Sequence, residues 1–379
     1  MADVRVARLN RLSLTNFRNY ASLDLDLAAQ LVAFVGANGT GKTNILEAVS
    51  YLTAGRGLRR ANLADITCKQ VQEGGWSVAS KVDQDGLDVS IGTGLKQNEA
   101  GRRVRIDGVD QRTSDSLLDY VRILWLIPAM DGLFTGPGSD RRRFLDRLTL
   151  SLNPAHGRQV SSFEKALRQR NRLLEQGGSA SYLTAVEQQV AELGTSVALS
   201  RRETVSLLQG TLSEQAELGL PFPIAGLELT GDFEAETEGL SASDQEDHFR
   251  KLLEDGRPRD RAAGRTLTGP HLSDLHVRHT AKDMPASQSS TGEQKALLIG
   301  LILAHADLSA SVSGLTPILL LDEVAAHLDP NRREALFARL DALGCQVFMT
   351  GTDESLFESL PIPSQIFAIE DGKARLLSV

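Results

Sequence analysis

The sequence is short of cysteine, aromatic residues and long apolar runs, and it has no excess of positive charge. Cys68 and Cys345 are the two cysteines in 379 residues, and they stand far apart. Two such residues build neither a disulfide framework nor a cysteine zinc site, and they fit a reducing compartment. Lys and Arg number 41 against 49 Asp and Glu, a formal net charge of −8. A chain of that charge is not drawn to nucleic acid as a whole, so any surface for DNA must be a local basic patch. The longest apolar candidate, Ala296 to Ala306, falls short of the roughly 20 residues that span a bilayer, and it contains His305. The opening MADVRVARLN has no apolar signal core. The expectation is a cytoplasmic protein with no membrane partner. Apolar residues at 41% and charged residues at 24% are ordinary for a globular chain of two or three folding units.

Three stretches differ in pattern. Residues 1–135 read as β-rich with one strong helix. Arg5 to Thr15 alternates at Val6, Leu12 and Leu14, and Leu23, Leu25 and Leu27 alternate with Asp24 and Asp26. Arg102 to Ile106 followed by Asp107-Gly108 predicts a hairpin. Residues 136–256 read as a helical insertion. Val160, Phe163, Leu167 and Leu174, a break at Gly177-Gly178, then Tyr182, Val186, Val190, Leu193 and Val197 predict an αα-hairpin. Each helix would be roughly 25–40 Å long. The pair fits either a short coiled arm or two packed core helices. Residues 257–379 return to α/β character: a helix from Glu293 to Leu308, a strand from Ile318 to Leu321, a helix from Pro330 to Leu343, a strand from Gln346 to Met349, and a hairpin at Asp371-Gly372.

Gly36-Ala37-Asn38-Gly39-Thr40-Gly41-Lys42-Thr43 matches GxxxxGK[ST]. It follows the apolar run Leu31 to Val35 and precedes an amphipathic helix with Ile45, Leu46, Val49 and Leu52. Strand, loop and helix in that order are what phosphate binding requires. Glycines let backbone N–H groups curl around the phosphates, and the helix N-terminus adds partial positive charge. Lys42 would reach the β- and γ-phosphates of ATP, and the Thr43 hydroxyl would ligate Mg²⁺.

The apolar strand Pro317 to Leu321 ends in Asp322-Glu323. Carboxylates at a strand's C-terminal end suit two tasks. Asp322 would hold Mg²⁺, and Glu323 would polarise the attacking water. Upstream, Ser289-Ser290-Thr291-Gly292-Glu293-Gln294 opens a helix, with Ser290 and Glu293 spaced as a capping box. In order with Asp322-Glu323 and Ala326-His327-Leu328-Asp329, this stretch resembles the signature motif and D-loop of ABC ATPases. The resemblance implies a homodimer in which Ser290 and Gly292 face the γ-phosphate held by the other subunit.

Five stretches narrow the resemblance. They are Leu14-Thr15-Asn16-Phe17-Arg18-Asn19-Tyr20; Ala54-Gly55-Arg56 with Arg59; Pro128 to Asp146 (PAMDGLFTGPGSDRRRFLD); Thr268-Gly269-Pro270-His271 with Asp274-Leu275; and Leu319 to Arg333 (LLLDEVAAHLDPNRR). In this order they resemble the RecF family of recombination mediators across nearly the whole chain. Leu272 and Ser273 depart from that family's GPHRDDL. Pro137-Gly138 shifts its usual proline by one. No Gln stands between Tyr120 and Gly136, and no His follows Met349, which leaves Thr350 or Thr352 for the switch role.

The resemblance implies an α/β fold: an ABC/SMC-type P-loop ATPase head, residues 1–135 and 257–379, with an inserted helical or short coiled-arm subdomain at 136–256. It implies an ATP-controlled clamp on DNA at single-strand/double-strand junctions, with slow hydrolysis and with RecO and RecR as partners in loading RecA. A transporter ATPase would share the ATP motifs, and so would another SMC-like repair ATPase. The NFRNY opening and the helical insertion argue against the first, and the absence of very long coiled coils argues against the second. Candidate DNA contacts are Arg56, Arg59 and Arg60; Arg102, Arg103 and Arg105; and Arg168, Arg170 and Arg172. Arg141, Arg142 and Arg143 are expected to pair with acids. Arg18 is expected near the nucleotide.

Overall fold

Leu31–Val35 is apolar at every position because both of its faces are covered, as in parallel sheets. In the computed structural model, which describes residues 4–71, 74–217, 219 and 221–378, this strand is central in a six-stranded sheet. The order is Lys373–Ser378, Ser364–Glu370, Leu31–Val35, Val347–Gly351, Ile318–Leu321 and Ile123–Leu126. All neighbours are parallel except the terminal hairpin, where Ser364–Glu370 meets Lys373–Ser378. Parallel pairing brings the C-terminal ends of Leu31–Val35, Val347–Gly351 and Ile318–Leu321 to one edge. Ligands bind at that edge in open α/β sheets.

A second sheet is antiparallel apart from the short strand Leu315–Thr316, which pairs parallel with the start of Arg5–Phe17. Arg5–Phe17 pairs with Tyr20–Asp26 on one side and with Trp76–Gln84 on the other. The order continues through Leu87–Leu95, Arg103–Ile106 and Val109–Gln111. Leu12, Leu14, Leu23 and Leu25 are buried while Asp24 and Asp26 face solvent, so the alternation places one face in the core. Asp107 and Gly108 have φ of 47° and 79°, the two positive values a tight two-residue hairpin needs. Both sheets, and the helix Lys42–Ser50, contribute to one apolar cluster that includes Phe17, Phe34, Leu46, Trp76 and Phe348.

The helix Thr291–Ser313 extends at both ends beyond the expected Glu293–Leu308. By length and composition it could cross a membrane, contrary to the expectation that its apolar run is too short. Every residue from Gln294 to Ala306 is buried inside the protein, so its apolarity is that of a core helix.

The chain divides into two units: Met1–Asp131, Gln215–Pro223 and Ser290–Val379 form one, and Gly132–Glu214 with Ile224–Ser289 form the other. The division differs from the expected return to the head at residue 257. Residues 257–289 stay with the helical unit because their contacts are there. Asp274–His279 pairs antiparallel with Ala225–Thr230, and Asp260 is ion-paired to Arg170.

In this second unit the helices His156–Gln176 and Ala180–Ala216 are joined through Gly177, a left-handed C-cap. The second has 37 residues, about 55 Å at the α-helical rise, longer than expected. Phe163, Leu167, Val186 and Val190 are covered by Phe233, Phe249 and Leu253, so the pair is packed as core helices. At its centre lies Arg170, fully buried. Its guanidinium donates to Glu187 at 3.0 Å, Asp260 at 2.7 Å, Thr266 at 2.8 Å and the Leu253 carbonyl at 2.6 Å. Arg170→Met leaves Asp260 without its ion-pair partner and Glu187 with Arg257 alone, both carboxylates buried. It is expected to lower stability by about 3–5 kcal/mol, read by denaturant unfolding of the intact protein. A loss below about 1 kcal/mol would contradict this account.

Candidate nucleotide site

The phosphate loop leaves the strand Leu31–Val35 at Gly36 and enters the helix Lys42–Ser50 through Gly41. Gly41 has φ of 110°, and a Cβ there would collide with the side chains of Asn19 and Tyr20. Glycine is therefore required for both conformation and space. Gly41 is also the helix N-cap and offers no side chain to the first-turn N–H groups, which suits an anion. Lys42 is almost fully buried. Its Nζ donates to the carbonyls of Gly36 at 2.6 Å and Ala37 at 2.8 Å. Burial pulls the Lys42 amine below its ordinary value, against the opposing charges of Glu323 and Asp322.

The acidic strand end meets this loop. The Thr43 hydroxyl donates to Asp322, 2.9 Å from Oδ1 and 3.2 Å from Oδ2. Asp322 is buried, and its backbone N–H is held by the Leu126 carbonyl at 2.9 Å. Glu323 follows at φ 54°, a left-handed conformation unusual outside glycine. The structure thus brings Lys42, Thr43, Asp322 and Glu323 to one place. Two hard oxygen donors, a hydroxyl and a carboxylate, fit Mg²⁺, which would take its other ligands from phosphate oxygens and water. Among the described residues no group of three or more His, Cys, Asp or Glu forms a metal cage.

Two further residues belong here. Asn19 Nδ2 donates to the Thr40 carbonyl at 3.0 Å, and its Oδ1 accepts from Asn44 Nδ2 at 2.8 Å. Arg18 and Asn19 form the two-residue turn between the paired Phe17 and Tyr20, with Arg18 at φ 57°. The turn delivers Asn19 to the loop. Arg18, beside it, is bound to Glu47, a fully buried carboxylate on the phosphate-loop helix, at 2.6 and 2.9 Å. A cavity of about 300 Å³ opens beside this turn, lined by Arg18, Asn19, Asn44, Asp65, Thr67 and Lys69. Thr350 is the second residue. Its hydroxyl lies 2.8 Å from Asp322 Oδ1 and accepts the Glu323 N–H at 2.9 Å, while Thr352 is exposed.

Ser290 and Gly292 stand at the N-terminus of the helix Thr291–Ser313. Ser290 Oγ accepts the Glu293 N–H at 3.4 Å, and Glu293 accepts the Ser290 N–H at 3.1 Å, a complete capping box. Both residues are exposed, and a Cβ on Gly292 would meet open space. Among the described residues, no hydrogen bond joins Ser290 or Gly292 to the phosphate loop. Lys295 on the same helix is 3.5 Å from Asp131, in the segment where a Q-loop glutamine is absent.

The basic clusters separate. Arg56 and Arg60 are exposed, and Arg59 is bound to Glu47 at 2.8 Å. Arg102 is corrected to a structural role. It donates to the carbonyls of Tyr51 and Thr53 at 2.7 and 2.8 Å and lies over the Tyr51 ring, and burial lowers its pKa to about 10. Arg103 pairs with Glu99 and Arg105 with Asp110 on the surface. Arg170 is buried, as described, while Arg168 and Arg172 are exposed. Arg141 pairs with Asp274 at 2.6 Å, Arg142 donates to the Ser273 carbonyl at 2.7 Å, and Arg143 pairs with Asp140.

A phosphate loop met by the carboxylate that ends the next strand but one of the same parallel sheet, with a capped helix start in the same unit, defines the ABC/SMC class of P-loop ATPase heads. Residues 8–375 match the family described as RecF/RecN/SMC N terminal domain. Within it, the chain belongs to the RecF family. It is 53% identical to the DNA replication and repair protein RecF of Mesorhizobium japonicum, covering 96% of each chain. It is 54% identical to that of Allorhizobium ampelinum, covering 97% of this chain and 98% of the relative. The solved structure of the recombination mediator protein RecF-ATPrS in the RecFOR pathway superposes with a TM-score of 0.88 at 22% identity, covering 100% of both chains. The Smc head domain from Pyrococcus furiosus shares the fold more distantly, with a TM-score of 0.55 at 15% identity over 99% of this chain and 96% of that one.

Proposed function

We propose that this protein binds and slowly hydrolyses ATP, and that ATP joins two copies into a clamp on DNA during gap repair. The observation that carries the reading is the meeting of Thr43 and Asp322 in front of the phosphate loop, with Glu323 next in sequence. Backbone N–H groups from Gly36 to Thr43 would cradle the phosphates. A phosphate oxygen would replace one of the carbonyls that Lys42 now contacts. Thr43 and Asp322 would hold Mg²⁺, which supplies charge neutralisation between the β- and γ-phosphates. Glu323 would orient the attacking water. The cavity lined by Arg18, Asn19 and Asn44 would take the nucleoside.

Ser290 and Gly292 complete the site from a second copy. Their exposure, and the empty space around Gly292, support this reading, because one chain alone gives the glycine no task. Junctions of single- and double-stranded DNA are the proposed substrate, and DNA would stimulate hydrolysis. RecO and RecR are the proposed partners, acting toward RecA. The relatives' names and the pathway named for the solved RecF structures support this assignment. Arg56, Arg59 and Arg60 are the favoured phosphate contacts, since they are exposed beside the phosphate-loop helix.

Glu323→Gln keeps the side chain's shape and removes its charge. The variant is expected to bind ATP normally, to hydrolyse it at least ~100-fold more slowly and to accumulate as a long-lived dimer. Light scattering with ATP and a phosphate-release assay read both effects. Wild-type turnover in this variant would remove Glu323 from the reaction.

A further inference from the structure

We infer that Thr350 is a positioning residue for hydrolysis: its hydroxyl sets the Mg²⁺-holding Asp322 and the water-orienting Glu323 relative to one another. This rests on the ATPase reading above and names a residue that reading does not use.

The placement begins with strand register. Val347–Gly351 runs parallel to Ile318–Leu321, with Met349 opposite Leu321. The next residue in each, Thr350 within its strand and Asp322 just past the end of its own, therefore lies at the same level. The Thr350 side chain is 1% exposed. Its Oγ lies 2.8 Å from Asp322 Oδ1 and 2.9 Å from the Glu323 nitrogen. A hydroxyl has one proton. A carboxylate can only accept, so that proton goes to Asp322, and the oxygen accepts the Glu323 N–H. Both bonds have assigned directions, and together they tie two adjacent carboxylates to a different strand.

Each tie has a consequence. Asp322 Oδ1 also accepts the Thr43 hydroxyl at 2.9 Å. Thr43 and Asp322 are the two residues assigned to the metal, and Thr43 belongs to the first turn of the phosphate-loop helix. Thr350 holds Asp322 from the sheet instead, independently of whether the loop carries nucleotide. Glu323 sits at φ 54°, where an L-residue with a long side chain is disfavoured. The N–H bond to Thr350 fixes that peptide and hence the direction in which the Glu323 side chain leaves the backbone. A strained conformation held by a buried hydrogen bond at a catalytic carboxylate is a functional arrangement more often than a packing accident.

The test compares Thr350→Val, Thr350→Ser and the wild type in the intact protein. Valine keeps the shape and removes the hydroxyl, and serine restores the hydroxyl. Three quantities are measured: ATP turnover, affinity for a fluorescent ATP analogue with excess Mg²⁺ and with EDTA, and the Mg²⁺ concentration that half-saturates the tight complex. The expected result for Thr350→Val is turnover 10- to 100-fold lower, the size of one buried charge-assisted hydrogen bond. Affinity in EDTA should stay at the wild-type value, while the Mg²⁺ midpoint rises several-fold. Thr350→Ser should recover most of both. A structural role alone would lower the melting temperature without separating the EDTA and Mg²⁺ affinities.

Wild-type turnover and an unchanged Mg²⁺ midpoint in Thr350→Val would overturn the inference. If valine impairs folding, Thr350→Ala takes its place, and equal turnover in the alanine and serine variants would overturn it as well. A wild-type protein that binds no nucleotide under these conditions would refute the ATPase reading itself, which separates the two failures.

Discussion

Lys42→Met is expected to lose ATP binding by at least about 100-fold and all measurable hydrolysis with it. The size follows from position and charge. Lys42 is the one cationic side chain in the loop Gly36–Thr43, and it is almost entirely buried. Its Nζ already lies within 2.6 and 2.8 Å of two loop carbonyls, so a phosphate between them would meet an ammonium that is in place and desolvated. Burial pulls its pKa below the ordinary value, and the carboxylates of Glu323 and Asp322 oppose that shift. Methionine matches the length of the stem and fills the same space. Loop shape, set by Gly36, Gly41 and the bond from Asn19 to Thr40, should survive. What disappears is the charge that balances the β- and γ-phosphates. Calorimetric titration with ATP and Mg²⁺ measures the loss directly. Affinity within a few-fold of wild type would contradict the assignment of this loop.

Much of this site is legible in the sequence because its parts are local. An apolar run, a glycine-rich turn and an amphipathic helix are consecutive, so the phosphate loop needs no tertiary information. Asp322-Glu323 is recognisable because it ends a short, fully apolar strand. Asn19 and Thr350 are different. Asn19 sits in a local hairpin turn whose sequence does not say where the turn docks, and Thr350 reaches the site from a strand whose register is set by pairing with distant segments. A polar residue one step past a buried strand was the available signal for Thr350, and it does not say which neighbour it faces.

The arginines teach the opposite lesson. Arg168, Arg170 and Arg172 look alike as a run of charge. Phe163, Leu167, Arg170 and Leu174 fall at intervals of one helical turn, so the pattern itself puts Arg170 on the apolar stripe. The structure has it there, neutralised by Glu187 and Asp260. Arg102 had no such signal, since its anchors are backbone carbonyls at Tyr51 and Thr53. The boundary at residue 257 was misplaced for a related reason. The strand Asp274–His279 has the same alternating pattern in either unit, and its partner, Ala225–Thr230, is chosen by tertiary packing.

The central claim is that two copies build each catalytic site together, and a mixture of two inactive variants tests it most directly. Ser290→Arg places a bulky side chain at the exposed start of the helix Thr291–Ser313, facing the partner's γ-phosphate in the proposed dimer. Its own phosphate loop stays intact. Lys42→Ala disables the loop and leaves Ser290 and Gly292 untouched. Each variant alone forms dimers with two damaged sites and should be inactive. In a mixed dimer, one site joins both damaged halves, and the other joins both intact halves. Random exchange makes about half of the dimers mixed, each with one intact site, so activity should return to about a quarter of wild type. Dimer formation is followed in parallel by light scattering. Recovery of ATP hydrolysis on mixing is the predicted result. Mixed dimers that form with ATP yet recover no hydrolysis, under conditions where a dimer with one intact site is known to turn over, would contradict the account.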